Sequence, residues 1–539
     1  MAMHELVDLR QDAAGLCADL ARVELAVARG TPFPQTLDAI ARDHRLSCSH
    51  DGLAQAVEAF ADANNAGRAA RLASLRDFLV RARALALDPG AAQELLEFPR
   101  RPSVRLHGDP GLHGALPPVA AERELPATRG REERADMEGA LAEAEREPAA
   151  ARSATWEAAQ SALSEIGAAD PVEAALALHE RGWKPAGKAA EAAAPAGPRP
   201  VHALGSSLVP AAPAPEPVLD PVTRACESFL RDTDALARDL GGWLLERDTG
   251  ARAAPGGAER HDLLRFIHAP RYAGAFAAGE LLRTMRRWAE MLRLDPGAGG
   301  TIELEEDDRP LQPSGAQVVA LDPPHEIRIV FRVVEGPRAV ADLLGALGRA
   351  QLRAVPPPDA PPEDLWLGDA ALDAACGALF SGLVLDRKWL RRCAQVDLAR
   401  DDERAIAMAT LLDARVCAAR ALASLEAHRA GLGARAEQVY RELHARAALT
   451  DVPSALALRE LDPWLAAWGE LRGRALASAL RAFLRERLDE DWWRNPRALG
   501  TLQRLWSRGG RPTGAELWAE ISAEPSLDAL SQELARACE

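Results

Sequence analysis

The stretch from Gly336 to Leu390 limits what this chain can become more than any other. Val340, Leu343, Leu344, Leu347, Ala350 and Ala354 recur at steps of three and four residues, which places them on one face of an α-helix. A second helix is expected from Gly368-Asp369-Ala370-Ala371-Leu372-Asp373-Ala374 onward. Gly345 and Gly348 lie inside the first helix, where each costs about 1 kcal/mol relative to alanine. A helix that keeps two such residues is expected to have a neighbouring helix packed close against it.

The remaining composition favours helices too. Hydrophobic residues make up 48% of the 539 positions but aromatic ones only 4%, and the bulk is alanine, leucine and arginine. Such a length can bury a large core, and alone would allow three or four domains. The formal charge of −15 argues against a nucleic-acid partner and against an anionic membrane surface. The N-terminal residues show no basic segment followed by an apolar run. No run of about 18 uncharged apolar residues occurs, so no membrane span is expected. Seven cysteines, an odd number without a C-x-x-C pair, fit a reduced, cytoplasmic setting.

Along the chain, residues 1–99 read as helices, with Leu6, Leu9, Ala13, Leu16 and Leu20 in one stripe and Leu72, Leu75, Phe78 and Leu79 in another. Residues 100–182 begin with a short alternating segment at Val104–Asp109 and return to helix, with breaks at Pro126 and Pro148. The run from Arg131 to Glu147 interleaves acids and bases and is expected to be a solvated helix. Residues 183–217 form a Pro/Ala-rich linker, expected to be extended and mobile. Residues 218–539 are again helical, except for three period-two segments near 301–305, 317–321 and 326–333, which predict an antiparallel three-stranded meander.

The chemistry-bearing residues are sparse. No two of the twelve histidines are four apart, so no helix presents the His pair that grips zinc in H-E-x-x-H peptidases. His325-Glu326 begins such a motif, but Ile329 fills its fifth position and the segment alternates like a strand. His261 and His268, seven apart, can share a helical face, without a convergent carboxylate or thiolate evident in the sequence. There is no G-x-S-x-G, P-loop or G-x-G-x-x-G. Cys376 has no local base and reads as a buried thiol.

Several blocks carry a resemblance. They are Arg260-His261-Asp262-Leu263-Leu264-Arg265-Phe266-Ile267-His268-Ala269-Pro270, the Leu343–Arg349 and Gly368–Ala374 helices, Asp386-Arg387-Lys388-Trp389-Leu390, and Asp491-Trp492-Trp493-Arg494-Asn495-Pro496. In order and spacing they resemble a bacterial branch of the M3-like (thimet oligopeptidase-like) zinc metallopeptidases. The resemblance implies a mainly α, two-lobed helical fold around a cleft, with the small antiparallel meander bordering it. Members hold zinc with His-Glu-x-x-His on one helix and a glutamate on the next. In that frame Gly345, Ala346 and Arg349 stand where the first His, the Glu and the second His would be. Ala374 stands at the third ligand, twenty-five residues after Arg349. The family's oxyanion-stabilising tyrosines fall on Ala466 and Glu470.

What the resemblance implies is therefore a catalytically inactive homologue with no catalytic residues and no zinc or other cofactor, which binds a peptide or a protein partner. Two alternatives stay open: a hydrolase with a relocated site using His261 or His268, and a structural subunit beside an active paralogue. Arg349 is expected to reach Asp369 or Asp373 and fill part of the vacated metal site with a salt bridge.

Overall fold

Helix boundaries follow the punctuation in the sequence. Side chains of Thr36, Ser49, Asn65, Asp220 and Thr513 cap helix N-termini, and prolines open the helices Pro89–Glu97, Pro221–Leu236 and Pro337–Ala354 at their first turn. In a computed structural model, residues 3–63, 65–106, 115–168, 170–179, 220–253 and 257–539 are described. The Pro/Ala-rich segment at 183–217 lies outside them, as does the second half of the Val104–Asp109 segment. Val104 itself makes one antiparallel bridge with Leu116.

The chain is mainly helical, and one continuous apolar core runs from Leu6 to Cys538. At its centre the helix Ala370–Ser381 is pressed between Pro337–Ala354 and Ala466–Leu488. Three glycines make this approach possible. A β-carbon on Gly348 would overlap the carbonyl of Cys376, one on Gly377 would lie 2.8 Å from Nε of Arg349, and one on Gly473 would overlap the methyl of Ala374. The segment Pro362–Leu385 is long and apolar enough to cross a membrane by length and composition alone, although Glu363, Asp364, Asp369 and Asp373 interrupt it. In the fold it is broken into Pro362–Leu365 and Ala370–Ser381, and 61% of its most apolar window is buried.

The sheet differs from the expected meander. Its strands are β1 (Ile302–Glu306), β2 (Gln317–Asp322) and β3 (Glu326–Phe331), in the order β1-β3-β2. β3 pairs parallel with β1 through Ile302↔Ile327 and antiparallel with β2 through Gln317↔Val330, so the sheet is mixed. β3 is the most buried of the three strands. Ile327 and Ile329 join the main core, while Val330 packs with Val319 against Ala21 and Ala28 of the N-terminal helix Met3–Arg29. The most buried strand takes the middle, and β1 and β2, less buried, take the edges.

The charged helix Arg131–Ala144 is likewise not simply solvated. Arg134 (1% exposed) donates to Asp262 at 2.8 Å. Glu138 accepts from Arg260 at 3.2 Å and faces Nδ1 of His261 at 3.0 Å, all of them buried. Its buried charges, Arg134 and Glu138, are paired with the Arg260–His268 helix rather than with water, while its other charges are exposed.

Candidate functional site

The turn between β3 and the Pro337–Ala354 helix is made at Gly336, with φ of 109°, and Pro337 then fixes the first helical turn. This aims one face of the helix into a cleft of about 1080 Å³. One wall comes from the N-terminal helices, including Leu20, Phe78 and Arg81. The other comes from residues 337–382 and the later helices, and the rim includes Gln317, Val318 and Ala320 of the edge strand β2.

Gly345, Ala346, Arg349, Ala374, Ala466 and Glu470 all line this cleft. Arg349 donates to Glu470 at 2.6 Å and lies 3.6 Å from Asp373, which also faces Arg353 at 3.3 Å. The pattern continues along the cleft floor. Arg338 contacts Asp342 at 2.8 Å and Asp413 at 3.6 Å, and Asp413 accepts from Arg474 at 2.8 Å. Four guanidinium groups thus alternate with four carboxylates. Burial pushes the Asp413 carboxyl up, but Arg474 and Arg338 outweigh it and hold it at about 2.

Asp369 does not take the place considered for it beside Arg349. It is the N-cap of Ala370–Ser381 and accepts from the backbone N–H of Ala371 at 2.9 Å. It also accepts from Gly514 N–H at 3.1 Å and from Arg472 at 3.0 Å. A carboxylate folded back onto its own helix terminus is committed there by geometry. Glu470, by contrast, was placed in the frame only as a lost tyrosine. Its role as the nearer partner of Arg349 had no signal in the sequence, since the two are 121 residues apart.

Zinc needs three or four converging His, Cys, Asp or Glu donors. The ligand and base positions of the frame hold two side chains without donors of that kind, a glycine and a guanidinium, so they do not fit the metal. Among the described residues, the trio that converges within 4.8 Å is Glu138, Glu259 and His261, and none of the three lines the cleft. Arg260 already neutralises Glu138 there. His268 does line the cleft, and its Nδ1 donates to the Leu264 carbonyl at 3.0 Å. Burial, with Arg338 nearby, lowers its pKa and keeps it neutral, leaving Nε2 as an acceptor.

The other candidates are structural. Tyr272 and Tyr440 are buried away from the cleft lining. Cys376 is buried, and burial pushes its thiol up to about 12. Trp492 and Trp493 are fully buried, with Trp493 Nε1 donating to Asp386 at 3.3 Å, which joins two of the blocks that carried the resemblance.

No protein-family model matches this chain, and no curated protein matches it. Solved structures do. The chain is similar to a protein described as oligoendopeptidase F from Bacillus anthracis, with a TM-score of 0.55 and 11% identity over 93% of this chain and 86% of the other. It is also similar to PZ peptidase A bound to an inhibitor, with a TM-score of 0.55 and 12% identity over 96% of this chain and 85% of the other. A Pyrococcus furiosus carboxypeptidase aligns over 100% of both chains with a TM-score of 0.52 and 10% identity. This is a metallopeptidase-like fold. At such low identity the likeness concerns architecture alone.

Proposed function

We propose that this chain is a non-catalytic relative of the M3-like peptidases, and that its cleft binds a peptide or an extended segment of a protein partner without cutting it. The observation that carries this reading is the Arg349 guanidinium, held by Glu470 and Asp373 at the centre of the cleft. Zinc-dependent hydrolysis needs metal ligands, a general base and oxyanion donors. Gly345, Ala346, Arg349 and Ala374 offer no metal ligand or carboxylate base, and neither Ala466 nor Glu470 replaces a tyrosine hydroxyl. The binding space is still present, and so is an edge strand, β2, beside it. An extended peptide can add to such an edge through its backbone.

The acidic balance of the chain goes with a protein or peptide partner rather than nucleic acid or an anionic membrane surface. Seven buried, unpaired cysteines go with a cytoplasmic setting. One observation favours the relocated-site reading: His268 is neutral and presents an acceptor nitrogen to the cleft. Against it stand the missing nucleophile beside His268 and the burial of His261.

Fluorescence anisotropy with labelled, unstructured peptides tests the proposal. Binding should saturate, and Ala341→Trp, which puts an indole into the cleft lining, should weaken it at least tenfold. Peptides that fail to bind, or that bind Ala341→Trp equally well, would leave the structural-subunit reading in its place.

A further inference from the structure

The helix Ala370–Ser381 separates two cavities. Its Asp373, Ala374 and Gly377 face the cleft, while Leu372, Cys376 and Leu379 face a second pocket of about 190 Å³. The far walls of that pocket are Leu476, Leu480 and Phe483, together with Leu502, Leu505 and Leu517. They come from the helices Ala466–Leu488, Pro496–Trp506 and Gly514–Glu520. Four helices thus meet around a space that their own side chains do not fill, although protein interiors are ordinarily close-packed.

The charged groups lining this pocket are Arg504, Arg508 and Glu520. Arg508 is paired with Glu520 at 2.6 Å. Arg504 is exposed and donates only to the Thr501 hydroxyl, at 3.1 Å, and among the described residues no carboxylate pairs with it. The pocket therefore combines an apolar interior with one uncompensated guanidinium. A dry cavity of about 150 Å³ holds a six-carbon ring, so this one has room for slightly more.

We propose that this pocket binds a monocarboxylate with an apolar body of about six to eight carbons. The chain enters between Leu480, Leu502 and Leu517, and the carboxylate meets Arg504. Burial of the chain supplies most of the affinity, and the guanidinium selects the charged head over a neutral one.

Calorimetric titration of the full chain with octanoate, and with 1-octanol as its neutral counterpart, tests this. Octanoate should bind saturably in the submillimolar range. Arg504→Ala should weaken octanoate about threefold to tenfold, as expected for an exposed charge contact, and leave 1-octanol within about twofold. Leu480→Trp, which fills the half-buried pocket wall, should abolish binding of both, with an unchanged circular dichroism spectrum showing that it folds. Absence of saturation by octanoate would overturn the proposal. So would retained binding in Leu480→Trp, or equal octanoate affinity in Arg504→Ala and the parent.

Discussion

Nη2 of Arg349 lies 2.6 Å from Oε1 of Glu470. On the reading proposed above, this ion pair stands where the M3-like resemblance would place a zinc-binding histidine and an oxyanion-stabilising tyrosine. The pair is only half-buried, with side chains 36% and 38% exposed. Water therefore screens it, and its contribution to stability is small.

The contrast with Arg472 makes this testable. Arg472 and Asp369 are each 4% exposed, and Arg472 also donates to the His179 carbonyl. Arg349→Ala should cost no more than about 1 kcal/mol. Arg472→Ala leaves a buried carboxylate without its guanidinium and should cost about 3–5 kcal/mol. Urea denaturation of the two variants checks the order, and equal losses would contradict it.

The two glycines of the central helix should behave oppositely. A β-carbon at Gly345 meets its nearest neighbours at 3.5 Å, an ordinary contact. Gly345→Ala should therefore be neutral or stabilise by up to about 1 kcal/mol through helix propensity. Gly348→Ala forces the helix away from the Cys376 carbonyl and should destabilise by about 1–3 kcal/mol. Thermal unfolding of both variants distinguishes them.

Stability should fall with acid in two stages. Burial pushes His444 down to about 4, and burial with the Arg472 guanidinium keeps His179 neutral. The unfolded chain takes up these protons near pH 6.5 and the folded one does not, so stability declines from there as pH falls. Glu460 and Glu533 are raised by burial, but neighbouring arginines outweigh this and bring each to about 2. Their contribution is complete above the ordinary carboxylate range and is lost as pH falls from about 4 towards 2. Urea midpoints between pH 8 and pH 3 should trace both stages. A flat profile from pH 7 to 4.5 would exclude the histidine stage.

Much of the central architecture was legible because some residues are costly in isolation. Gly348 in a helix announces a close neighbour, and the Cys376 carbonyl of the next helix is packed there, whereas Gly345 leaves room for a methyl group. The order of the strands was not legible from alternation, because a period of two does not say which strand is central. The buried role of Arg134 and Glu138 was hidden because their partners, Asp262 and Arg260, lie more than a hundred residues away. The same separation hid Glu470 from Arg349, while Asp369 is drawn away by its role as the N-cap of its own helix.

On the proposed reading, Gly345, Ala346, Arg349 and Ala374 offer no donor set for zinc, and the purified protein should hold none in stoichiometric amount, even after dialysis against it. Elemental analysis showing about one tightly held zinc per chain would contradict this.

Binding without cleavage is tested by mass spectrometry of unstructured peptides recovered from the protein after prolonged incubation with added zinc. Each peptide should come back bound and at its full mass, and the Ala341→Trp variant should recover at least tenfold less. Shorter products that form with the parent chain and disappear with His268→Ala would contradict it and place the chemistry at His268.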